Sequence, residues 1–324
     1  MRAMVVSQWG EPRDLRLTEL PDPEPKPGTV AIDVQAIGCN FFDVLMVQGK
    51  YQVRPPLPFA PGGEVAGTVR AVGAGVSQVK PGDRVFAMLG WGGYASVAVA
   101  PAPGVVRMPA SMSFEHGAAF GIVYQTSYFA LVHRTALRAG ETLLVHAAAG
   151  GVGLAAVQIG RALGARVLAT AGSAEKLAVA REHGAEDAFD YSTPGWVDRV
   201  MEATGGRGAD VIYDPVGGEV FDLSTKCIAF GGRLLVIGFA SGTIPSIQVN
   251  RVLLKNISII GLHWGAYRTH DPGKIAETTA ELFTLYEKGA IRPVVSSVRP
   301  LAEAAAALDE IATRKSIGKV LLRP

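Results

Sequence analysis

The sequence predicts an α/β chain of two domains, an all-β barrel and a doubly wound parallel sheet inserted into it. Three observations carry this. The 324 residues exceed what one hydrophobic core comfortably holds. Residues 1–120 are written in short β-branched runs punctuated by Gly and Pro. From about residue 121 the rhythm changes to strand, helix, strand, helix, the pattern of a parallel sheet built from crossovers.

In the first stretch the strands read as "TVAIDVQAIG", "GEVAGTVRAVGAGV", "DRVFAML" and "YASVAVA". In the second, apolar runs at 143–146, 167–170, 188–191, 211–214, 234–238 and 257–262 mark six strands. Helical stretches lie between most of them, at 154–163, 174–183, 196–204 and 219–228. After residue 262 come a long helix near 275–288, a strand-like "VVSSVRPL", a helix near 303–313 and a final "GKVLLRP". Their short, barrel-compatible strands assign 264–324 to the first domain. The expected division is 1–121 with 264–324, and 122–263.

Composition narrows the function classes. Lysine and arginine total 31 against 29 acids, a net charge of +2, and no basic block of five occurs. A nucleic-acid surface is therefore not expected, and the partners implied are small molecules. The longest apolar span, 143–159, is too short to cross a bilayer and is broken by glycines. The N-terminus lacks the apolar core of a secretion signal, so a cytoplasmic setting is expected. Two cysteines, Cys39 and Cys227, exclude a disulfide framework and a four-cysteine zinc lobe.

The densest signal is "VHAAAGGVGLAAVQIG", residues 145–160, which passes from strand through Gly150, Gly151 and Gly153 into a helix. A helix start carries unpaired N–H groups and the positive end of the helix dipole, so it attracts a phosphate. Glycines at 150 and 151 permit close approach and unusual dihedrals, and Gly153 lets the helix pack on the strand. Strand before, helix after, and a second strand ending about twenty residues on is the context of a dinucleotide site.

The end of that second strand reads Ala169, Thr170, Ala171, Gly172, Ser173. An NAD site usually places an acid there for the ribose 2′-hydroxyl, and an acid would repel a 2′-phosphate. None is present. Ser173 offers a hydrogen bond and Lys176 a countercharge, so NADPH is the expected cofactor. The other reading of Lys176 is a solvated helix lysine.

These residues resemble the medium-chain dehydrogenase/reductases. "PGGEVAGTVRAVGAGV" (61–76), "VKPGDRV" (79–85), "GGYAS" (92–96) and "AAAGGVG" (147–153) are similar to that superfamily's markers in order and spacing, and "GCNFFDVLMVQGKY" (38–51) resembles its zinc-free quinone oxidoreductase, or ζ-crystallin-like, branch. The resemblance implies a GroES-like barrel carrying the catalytic residues and a Rossmann domain carrying the cofactor. It places Asn40 and Tyr51 beside substrate and nicotinamide. It implies cofactor contacts at Asn40, Thr126, Ala149, Gly150, Gly151, Val152, Gly153, Gly172, Ser173, Lys176, Tyr191, Gly238, Phe239, Leu262, His263 and Trp264, and at Gly318 and Lys319 closing over the cofactor. It also implies a homodimer joined through the Rossmann sheets, near "SIIGL".

At the positions matching the zinc ligands of the alcohol dehydrogenases stand Asn40 and Gly63, neither a zinc ligand type. Metal-free chemistry is expected. A quinone or conjugated enone suits it, because charge arriving with a hydride delocalises onto a distant oxygen, leaving orientation and one or two hydrogen-bond donors to the protein. Asp43 and Glu64 read as structural hydrogen bonders, not as acid and base. His146 reads as a core histidine, and Leu45 stands where this branch elsewhere has a tyrosine. The implied activity is NADPH-dependent, zinc-independent reduction of a quinone or enone. The alternatives are reduction of an activated C=C bond of enoyl or 2-haloacrylate type, and an NADPH-binding structural or RNA-interacting protein with little turnover.

Overall fold

The computed structural model describes residues 1–324. They form two compact units, Met1–Ile122 with Pro293–Pro324, and Val123–Arg292.

The first unit is built around Thr29–Gly38, a ten-residue strand whose alternating β-branched residues bury Val30, Ile32, Val34 and Ile37. One edge pairs antiparallel with Glu64–Val72, which continues to Arg84–Met88 and then Val105–Arg107. The other edge is shared: Val97–Pro101 pairs with its first half and Lys319–Arg323 with its last two residues. Val295–Pro300 adds parallel to Lys319–Arg323 and ends the sheet. No pairing joins Val295–Pro300 to Val105–Arg107, so the expected barrel is an open seven-stranded sheet. Closure would need two free edges to meet; here one edge of the central strand divides between two partners instead. Leu301, Ala304, Ala307 and Leu308 complete the core beneath it.

The second unit is a six-stranded, wholly parallel sheet. In order of sequence its strands are Thr142–Val145, Arg166–Ala171, Asp187–Asp190, Ala209–Asp214, Ile228–Val236 and Ser258–Gly261. Their spatial order is 3-2-1-4-5-6, which puts the reversal of crossover direction between the first and fourth strands. Burial on both faces explains why the first strand is written Thr-Leu-Leu-Val with every residue buried.

Residues 264–292, expected in the first domain, belong to the second unit. Polar contacts on the helix Pro272–Glu287 hold them there. Gln125 donates to Thr279 Oγ1 at 2.7 Å, and His133 Nε2 meets Thr278 Oγ1 at 2.9 Å. Gln158 then pins Arg292, donating to its carbonyl and accepting from its N–H. A hydropathy pattern does not register buried polar pairs separated by more than 130 residues.

Candidate active site

In the second unit the turn after the first strand is drawn tight by backbone bonds. Ala148 N–H donates to Thr170 O, and Gly150 N–H to Ala147 O at 2.9 Å. The helix Gly151–Ala162 starts with Gly150 as its N-cap and no side chain capping it, so no side chain of the chain competes for its first N–H groups. A Cβ on Gly153 would overlap the Ala147 carbonyl, and one on Gly160 would lie 2.5 Å from Leu143. These glycines let the helix press against the turn and the strand. The unusual dihedral of this turn, which glycine at 150 or 151 would permit, falls on Ala147, at φ 47°, while Gly150 lies in the extended region.

The second strand ends at Ala171, and Ser173 caps the next helix, Ala174–Glu182, its Oγ accepting from Lys176 N–H at 3.3 Å. The Ser173 O–H remains able to donate. A Cβ on Gly172 would lie 3.5 Å from the Tyr191 ring, so Gly172, Ser173, Lys176 and Tyr191 gather at the carboxyl ends of the second and third strands. Glu175 is exposed on the helix.

Beyond the fourth strand, Asp214 Oδ1 accepts from Val216 and Gly217 N–H, while burial raises its carboxyl above the usual range. Gly238 and the half-exposed Phe239 follow the fifth strand, the Phe239 ring lying 3.0 Å from where a Gly217 Cβ would stand. After the sixth strand Leu262 is buried, His263 exposed, and Trp264 buried with its indole N–H unpartnered. Thr126 is half-buried in the helix Gly121–Tyr128. His146, by contrast, is core. Its Nδ1 meets Thr170 Oγ1 at 2.7 Å and its Nε2 meets Ser224 Oγ at 2.8 Å. Because the Ser224 hydroxyl donates to Val220 O, Nε2 carries the proton, and burial keeps the ring neutral.

In the first unit Asn40 precedes the helix Phe41–Val47, its N–H donating to Asp43 Oδ2 at 2.8 Å. Its carboxamide is held at both ends. Nδ2 donates to Glu64 Oε1 at 2.9 Å and, at a long 3.4 Å, to Gly38 O; Oδ1 accepts from Lys319 Nζ at 2.7 Å. Lys319, 4% exposed, also donates to Glu64 Oε1 at 2.6 Å and Cys39 O at 2.8 Å. All three ammonium protons are thereby engaged within the chain, one of them on Asn40. Gly318, at φ 60°, supplies the bend before Lys319.

Burial pushes the Asp43 carboxyl up to about 7, with the Glu64 charge adding to the rise and Asn40 N–H and Lys319 opposing it. Tyr94 OH donates to Asp43 Oδ2 at 3.2 Å, and Oδ1 has no partner. The Cys39 thiol, raised to about 12 by burial, is inert, and the residue contributes its carbonyl. Tyr51 is half-buried with its ring 5.4 Å from Phe42; burial and the Asp43 charge raise its phenol. It makes no hydrogen bond to Asn40.

No three His, Cys, Asp or Glu side chains are grouped to hold a metal. At position 63 even a Cβ would overlap the Phe42 ring. The turn at Gly150 to Gly153, by contrast, suits a dinucleotide pyrophosphate, and the carboxyl ends of the second and third strands suit a 2′-phosphate.

Two family models match, the alcohol dehydrogenase GroES-like domain over residues 26–110 and the zinc-binding dehydrogenase model over 151–282. The chain is 42% identical to quinone oxidoreductase-like protein 2 homolog of Nematostella vectensis, spanning 90% of this chain and 81% of that protein. It is 37% identical to human quinone oxidoreductase, spanning 96% and 94%. The Escherichia coli quinone oxidoreductase, solved in complex with NADPH, superposes with a TM-score of 0.93 at 33% identity over all of both chains. Identity and coverage at this level, together with a 3-2-1-4-5-6 parallel sheet and its glycine turn, place the chain in the quinone oxidoreductase branch of the medium-chain dehydrogenase/reductase superfamily.

Proposed function

We propose that this protein reduces a quinone or conjugated enone with NADPH, without a bound metal ion. The observation that carries the reading is the end of the second strand, where residues 169–173 include no acid and Ser173 caps the helix that carries Lys176. That set favours a 2′-phosphate over a bare 2′-hydroxyl. The quinone reductase relatives and the NADPH-bound neighbour support the same choice.

The second unit holds the cofactor. The N–H groups of Gly151, Val152 and Gly153 would hold the pyrophosphate, and Ser173 and Lys176 would hold the 2′-phosphate. Ala149, Thr126, Gly238, Phe239, Leu262, His263 and Trp264 would supply the remaining contacts. When bound, the nicotinamide supplies a hydride, two electrons with one proton. A second proton from water completes the hydroquinone. In the first unit Asn40 donates its amide N–H to the substrate carbonyl as charge arrives there, and Tyr51 gives a flat ring a surface. No Lewis acid is required, because the arriving charge delocalises across the conjugated system.

The same reading includes a homodimer and a cytoplasmic setting. The strand Ser258–Gly261 is a free sheet edge. Beside it in sequence, the helix Val249–Lys255 buries none of its residues, and Val249, Leu253 and Leu254 are each more than 70% exposed. Such an apolar face suits a second copy. No helix is long and apolar enough to cross a membrane.

The test is steady-state NADPH oxidation with 1,4-benzoquinone and with an enoyl thioester, with zinc measured on the same sample. Benzoquinone turnover by zinc-free protein is expected. Faster turnover of the thioester would favour the activated C=C reading. Binding of NADPH without oxidation by any acceptor would favour the non-enzymatic one.

A further inference from the structure

Asn40 stands between two groups of opposite chemistry. A lysine ammonium can only donate, and it faces Asn40 Oδ1 at 2.7 Å. The Glu64 oxygen that faces Nδ2 at 2.9 Å is itself bound to that ammonium at 2.6 Å, so it accepts from both. Turning the carboxamide over would set N–H against ammonium and carbonyl against carboxylate. Only one orientation survives.

The cluster is closed elsewhere as well. Glu64 Oε2 accepts from Ile122 N–H at 2.9 Å, and Lys319 gives its last proton to Cys39 O. A Cβ on Gly38 would lie 2.5 Å from Glu64 Oε1, so glycine there is what lets the carboxylate approach. Within the amide, the one loosely held group is the second Nδ2–H, whose only acceptor is Gly38 O at 3.4 Å, beyond the ordinary range.

We propose that Lys319 is a positioning residue: with Glu64 it fixes the Asn40 carboxamide so that the side chain can act only as a hydrogen-bond donor. The ammonium also polarises the carbonyl it binds and strengthens the N–H at the other end. A fixed protein cation thus acts through an amide where other enzymes use a Lewis acid. The inference rests on the reading of Asn40 given above.

The test uses Lys319→Met and the double variant Lys319→Met/Glu64→Gln. The single variant strands a buried carboxylate, so loss of stability is expected from it whatever the role. In the double variant both charges are gone and the melting temperature recovers to within a few degrees of wild type. The carboxamide that Glu64→Gln introduces can donate or accept, so Asn40 is no longer held one way round. In the double variant kcat with benzoquinone is expected to stay at least tenfold below wild type while both KM values remain within about threefold. Recovery of kcat along with stability would overturn the proposal.

A second readout needs neither cofactor nor turnover. The chain has three asparagines, Asn40, Asn250 and Asn256. In apoprotein labelled with 15N-asparagine, an Asn40→Asp variant identifies the Asn40 side-chain amide. In wild type its two protons are expected well separated and slow to exchange, and in the double variant doubled or averaged. An unchanged pair in the double variant would contradict the clamp even if the wild type reduced no quinone. Lack of quinone turnover by the wild type, with the amide pair behaving as expected, would instead count against the proposed function alone.

Discussion

At the scale of single residues, polar groups with opposite burdens sit inside the two units. His146 is fully buried and uncharged, and burial takes its pKa from the ordinary 6.5 down to about 3. Between those values the unfolded chain binds a proton that the folded one refuses, so stability falls as pH drops below 6.5. At pH 5 that cost is about 2 kcal/mol. The difference in unfolding free energy between wild type and His146→Gln is expected to narrow by that amount from pH 7 to pH 5 in urea titrations; a constant difference would remove His146 from the acid sensitivity. Asp43 runs the other way, its raised carboxyl favouring the fold at low pH and losing that advantage as pH rises through 7. His146 was legible as a core residue because it ends a buried strand. The Lys319 and Glu64 pair was not, because 255 positions separate the two and nothing near either predicts the other.

At the scale of elements, the glycine turn was legible because its chemistry is local: strand, small residues and helix within sixteen positions. Its detail was not. Ala147 takes the left-handed dihedral without a glycine to announce it, since the bonds from Ala148 to Thr170 O and from Gly150 to Ala147 O fix the turn around it. The helix Val249–Lys255 is the converse case. Its apolar residues resemble core, yet the fold leaves Leu253 and Leu254 each 74% exposed. The proposed interface with a second copy would cover them. Leu253→Glu with Leu254→Glu is expected to convert a dimer to a monomer in light scattering while leaving the helix content intact. A wild type that is already monomeric would contradict this role for the face.

At the scale of the whole molecule, what was legible followed from repetition. Six strands alternating with helices announce a parallel sheet, and the right-handed crossover restricts how they are ordered. What escaped depended on long-range choices. The central strand of the first unit shares one edge between two partners, so the sheet stays open. The helix Pro272–Glu287 joins the second unit through Thr278 and Thr279, paired with His133 and Gln125, polar groups that carry no hydropathy signal. The proposed activity depends on a dinucleotide whose 2′-phosphate rests at the carboxyl edge of the parallel sheet, read by Ser173 and Lys176. The most direct measurement is fluorescence titration of apoprotein with NADPH and NADH, in wild type and in Lys176→Ala. Saturable binding that favours NADPH, with that preference reduced about tenfold or more in the variant, is the expected result. No saturable binding of either nucleotide, or a preference that survives the loss of Lys176, would contradict it.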